Sequence, residues 1–134
     1  MHLPTFIEGE ESYYEYESNT VCFEANPPTL TILHELAHWL HYQLDPDVYL
    51  ATHRDPHEWV NDFHEQVAVY VAIKAAAQWL TQESFVYELS RSPVTFRLAM
   101  QHISPQTREY AESLLHNFLG IPEVRELFIQ CLPQ

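Results

Sequence analysis

The segment Thr29-Leu-Thr-Ile-Leu-His34-Glu35-Leu-Ala-His38-Trp-Leu-His41-Tyr42 sets three histidines and one carboxylate into an apolar run. On a helix, residues four apart lie one turn above each other on the same face, so His34 and His38 can aim at a common centre. They read as a pair of metal ligands. Glu35, one residue after the first of them, stands beside such a metal rather than on it, within reach of a metal-bound water. The neighbours Leu30, Ile32, Leu33, Leu36, Ala37, Trp39 and Leu40 make the helix a buried one. Imidazoles facing a protein interior need partners for their ring nitrogens, and a divalent metal meets that demand.

His34-Glu35-Leu-Ala-His38 is a full match to the active-site motif of the zincin metallopeptidases, and the segment resembles their metal helix. The resemblance extends over roughly the first 80 residues. It implies that His34 and His38 bind zinc and that Glu35 polarises the water that attacks a peptide carbonyl.

A chain of 134 residues is the size of a single domain with one core. Hydrophobic residues at 46% and charged ones at 19% indicate a soluble globular protein. No apolar run approaches the ~20 residues of a membrane span, and the first residues lack a signal-peptide pattern, so a cytoplasmic protein is expected. Cys22 and Cys131, at opposite ends, are too few for a disulfide framework and are expected to be reduced and buried. The formal charge is −13, and no Lys or Arg precedes Arg54. Such a field repels nucleic acid and favours basic partners or substrates, although a merely solvating acidic surface explains the charge as well. A peptide or protein substrate is expected, with no nucleic acid and no membrane partner; the oligomeric state is left open.

The pattern predicts an α+β fold: a small N-terminal antiparallel sheet or hairpin, the metal helix, a long second helix and a C-terminal bundle of short ones. Tyr13 to Glu17 and Val21 to Ala25 are rich in aromatic and branched residues, with Ser18-Asn19 as turn material, and Thr5 to Ile7 is a candidate first strand. By the zincin resemblance, Val21 to Ala25 would be the sheet edge along which a substrate peptide lies. Asn26-Pro27-Pro28 ends that strand, Thr29 is the expected N-cap of the first helix, and that helix runs to about Tyr42 or Leu44, where Asp45-Pro46-Asp47 stops it. A loop from Asp45 to Arg54 is expected across the mouth of the site. Asp55, Pro56 and Glu58 form a capping signal for a second helix running to about Leu80. Further helices are expected after Ser92-Pro93, Ser104-Pro105 and Ile121-Pro122, with Gly120 ending one of them.

A catalytic zinc needs a third protein ligand and a fourth position open for water. The candidates are Glu65, Glu58, His57, His53, His64 and His41. Glu65-Gln-Val-Ala68-Val-Tyr-Val-Ala72 resembles the glutamate helix of the gluzincin branch, which makes Glu65 the leading choice; small residues there would let two helices approach closely. That branch carries an acid or amide four residues after the ligand, where this chain has Val69. Glu58 keeps such an acid in Asp62 but has a capping reason to exist, and His53 or His57 would suit a third-histidine site like that of SprT-like peptidases. His41 reads as structural. Tyr42, Tyr49, His102 and His116 are open candidates for stabilising an oxyanion.

Two histidines and a carboxylate are equally the ligand set of non-haem iron enzymes. His-Glu-Leu-Ala-His-Trp with the downstream Gln-Val pair is similar to elongation factor P hydroxylase, so ferrous iron stands as the alternative to zinc. A non-catalytic interaction module on a zincin frame is the third reading, and the intact Glu35 argues against it.

Overall fold

The computed structural model describes residues 2–52, 63–92, 96 and 100–131, the side chains of 118 and 119 apart. Three short strands open the chain: β1 (Thr5–Glu8), β2 (Tyr13–Glu15) and β3 (Thr20–Phe23). Their order is β1-β3-β2. The expected hairpin is present, with β2 antiparallel to β3 and Tyr14 opposite Val21. β1 joins β3 in parallel, Phe6 opposite Val21, so the sheet is mixed rather than antiparallel. Asn19 makes this arrangement. It takes a left-handed φ of 52°, which asparagine tolerates in turns, and its side chain accepts from the Tyr14 hydroxyl while donating to the carbonyls of His2 and Leu3. Gly9 lets the chain leave β1 tight against β3, since a Cβ there would come within 2.7 Å of Cys22 Sγ. The expectation that β3 is a substrate-binding edge is therefore overturned: both its sides are paired, and Val21 and Cys22 are buried.

The helix that carries His34 and His38, α1 (Thr29–Leu44), is buried without interruption from Leu33 to His41. Thr29 is not its N-cap. Pro28 holds that place in extended conformation, makes no side-chain cap bond, and Thr29 becomes the first helical residue. Its orphan N–H donates instead to Glu88 Oε2 at 3.1 Å, across 59 positions of sequence. The helix ends at Leu44, the later of the two expected ends, but the next residues are not a loop. Pro46 starts α2 (Pro46–Thr52), because proline suits a first helical position, and this turns Tyr49 inward to 1% exposure.

α3 (Phe63–Trp79) packs against α1, and its Val67, Ala68, Val71, Ala72, Ala75 and Ala76 are buried in the core the two helices share. The alanines put little bulk between the helices, and each fully buried Leu of α1 contributes on the order of 2 kcal/mol of apolar transfer to this contact. The expected start of this helix, Asp55-Pro56 with Glu58, lies outside the described residues. α4 (Gln82–Arg91) is capped by Thr81, whose hydroxyl accepts from the Ser84 N–H. Ser92 closes α4; the helix expected from Pro93 lies partly outside the described residues, though 96 and 100–102 are helical. α5 (Pro105–Leu119) starts on Ser104, which accepts from the Thr107 N–H at 3.1 Å, and ends before Gly120 as expected. α6 (Pro122–Cys131) follows. Cys22 is buried and Cys131 partly so, and both are free thiols. Among the described residues no helix is long and apolar enough to cross a membrane.

Candidate metal centre

Because α1 and α3 lie side by side, one turn of each supplies donors to a single point. His34 Nε2 and His38 Nε2 stand 3.0 Å apart, and Glu65 Oε2, from the first turn of α3, is 3.0 Å from the former and 3.2 Å from the latter. With metal–ligand bonds of about 2.0–2.1 Å, two corners of a tetrahedral zinc site are about 3.3 Å apart. The three atoms thus form a slightly contracted face of that tetrahedron. The rings of His34 and His38 meet at 86°, so their in-plane lone pairs converge rather than stack. A donor set of two imidazoles and one carboxylate fits zinc and ferrous iron alike.

Glu65 is held ionised. Burial opposes its charge, but His38 beside it and the hydrogen bonds from His34 and His38 outweigh that, and its carboxyl sits well below the usual range. Glu35 differs. Burial pushes its carboxyl up, against the pull of His34 and His38 and with Glu65 adding repulsion. Its Oε1 lies 3.7 Å from His34 Nε2, beside the donor triangle and outside hydrogen-bonding range. Two carboxylates in one site are therefore pushed apart in acidity by their surroundings.

His64, an alternative third ligand, stands against the other oxygen of Glu65. Its Nε2 is 3.5 Å from Oε1, and its ring stacks on His38 at 4.3 Å. His53, His57 and Glu58 lie outside the described residues. Of the four candidates for oxyanion stabilisation, Tyr49 is brought closest: its ring meets His64 edge-on at 4.5 Å and His38 at 6.4 Å. Burial, then the charges of Tyr14, Glu65 and Glu35, raise its pKa and keep the phenol protonated, a hydrogen-bond donor. Tyr42 packs against Tyr14, Tyr16 and Tyr49. His102 and His116 are exposed.

His41 is structural, as its position one turn past His38 suggested. Tyr110 Oη donates to Asp45 Oδ2 at 2.6 Å, so it must accept at 2.9 Å from His41 Nε2, which fixes that nitrogen as the protonated one. Sequence reasoning missed Phe96, which lies face-tilted on His34 at 4.9 Å, and Glu88 at the start of α1. Neither carries a local signal, since each acts across dozens of residues.

Comparison of the chain with known protein families, curated proteins and solved structures finds no match.

Proposed function

We propose that this chain is a metal-dependent peptidase, with zinc held by His34, His38 and Glu65 and with Glu35 as the general base. The observation that carries the reading is the donor triangle of 3.0, 3.0 and 3.2 Å with a separate, buried carboxylate beside it. When bound, zinc supplies a Lewis acid that makes a coordinated water acidic near neutral pH.

The protein's own groups do the rest. Glu35 takes the proton of the attacking water and returns it to the leaving amine, a role suited to a carboxylate whose proton affinity burial has raised. Glu65 stays anionic and offers its Oε2 to the centre, while His64 and His38 confine its Oε1. Tyr49, buried with its ring against His64, keeps a protonated phenol. The acidic surface favours substrates with basic side chains.

The same three donors suit a ferrous hydroxylase, and the metal found by elemental analysis of the purified protein, zinc or iron, separates the two readings. Zinc-loaded parent and Glu35→Gln proteins, incubated with a mixed peptide library, test the proposal. The parent should cleave, and the variant should bind zinc yet lose at least ~100-fold in rate. Equal cleavage by both would remove Glu35 from the mechanism.

A further inference from the structure

A pocket of about 540 Å³, lined by none of the donor-triangle residues, lies between the ends of α1 and α5. Leu44 and Asp45 come from the end of α1; Tyr110, Ser113, Leu114, His116 and Asn117 come from α5, with Gly120 and Ile121 beyond it. Both helices give way at once to another, at Pro46 and at Pro122, so the charge at the pocket is set by its side chains rather than by helix ends. Asp45 adds a full negative charge. Its Oδ2 is occupied by the Tyr110 hydroxyl, which is itself fixed by His41, while Oδ1 has no protein partner among the described residues. No Lys or Arg lines the pocket, and its one basic residue is the His116 imidazole. Leu44, Leu114 and Ile121 provide apolar wall for a hydrocarbon stem, and Ser113 and Asn117 provide further acceptors in the same lining.

From this geometry we infer that the pocket binds an alkylammonium, a primary amine on a stem of several methylenes such as the side chain of lysine. The His41–Tyr110–Asp45 chain orients the carboxylate, and the leucines cover the stem. The inference concerns a site separate from the metal centre and holds whether or not that centre hydrolyses peptides.

The test is a chemical-shift titration of the full ¹⁵N-labelled chain with Nα-acetyl-lysine methylamide, alongside the norleucine analogue, which has the stem without the ammonium. Saturable shifts at Asp45, Ser113, Asn117 and Gly120, with a dissociation constant of about a millimolar, and at least tenfold weaker binding of the norleucine analogue, are the expected result. Asp45→Asn, which keeps an acceptor for Tyr110, should weaken binding at least tenfold. Asn117→Lys, at an exposed helical position, should abolish it by placing a competing ammonium at the pocket. Should Asp45→Asn fail to fold, Asn117→Lys decides. n-Butylamine, titrated in parallel, separates a free amine from a peptide-borne side chain by which of the two binds more tightly. Equal affinity for the norleucine analogue, no effect of either folded variant, shifts mapping elsewhere, or no saturable shift at all would each overturn the inference.

Discussion

The carboxylate of Glu88, on α4, accepts the backbone N–H of Thr29 at 3.1 Å and so closes the N-terminal end of the helix that carries His34 and His38. Glu88 is only 8% exposed, and its negative charge faces the positive end of the helix dipole. It does for α1 what Pro28 cannot do as a cap.

Glu88→Ala should therefore cost about 1–2 kcal/mol of stability, the range for losing a cap and leaving a buried N–H unmet. Glu88→Gln, which keeps an acceptor, should cost less. Urea unfolding midpoints measure both, and an alanine variant as stable as the parent would remove Glu88 from the account of α1.

Glu65 and Glu35 are both buried acids within one site, yet the geometry gives them different work. Glu65→Ala removes a donor and should weaken zinc binding by more than the ~10–100-fold typical of losing an outer partner. Glu35→Gln should leave affinity within a few fold of the parent. Competition titration against a chelator of known affinity distinguishes them, and equal losses in the two variants would mean that Glu35 is a ligand.

Zinc bound to the folded state alone stabilises it by mass action. At a free concentration about 1,000 times the dissociation constant, the gain is about 4 kcal/mol, or on the order of 10 °C in Tm for a chain of this size. Calorimetry of chelator-treated and zinc-loaded protein reads this shift, and its absence would show that no specific site is filled.

His41 is fully buried, and its pKa is pushed down to about 4, first by burial and then by His38, with Asp45 opposing. An unfolded chain holds a proton on this histidine below about pH 6.5. Between about pH 6.5 and 4 the unfolded state therefore binds the extra proton, so stability is full above that window and falls as the pH drops through it. His41→Gln keeps a donor toward Tyr110 without this titration. Measured in chelator by urea unfolding, the parent should lose about 2 kcal/mol more than the variant between pH 7 and 4.5. Parallel pH profiles would contradict the assignment of a neutral, buried His41.

Much of this architecture was legible because its signals are local. The four-residue spacing of His34 and His38, the cap at Ser104, the proline starts at Pro105 and Pro122 and the aromatic and branched residues around Val21 each act within a turn or a strand. The departures come from long-range pairing. Whether Val21 lies on a central or an edge strand depends on Thr5 to Glu8 docking alongside it, which nothing in either segment announces. Thr29 looks like a cap by composition, yet Glu88 supplies the bond from 59 residues away. Pro46 could end one helix or begin another, and the burial of Tyr49 against His38 and His64 goes with the second outcome. Glu65 stood out only by resemblance to a glutamate helix; its place at the donor triangle comes from the close approach of α1 and α3.

Zinc K-edge absorption on the loaded protein probes the coordination most directly. Two imidazole nitrogens at about 2.0–2.1 Å, with the remaining scatterers oxygen at similar distance and no sulfur, are the result expected from His34, His38, Glu65 and a water. A shell with one imidazole or none, or with sulfur near 2.3 Å from Cys22 or Cys131, would contradict it.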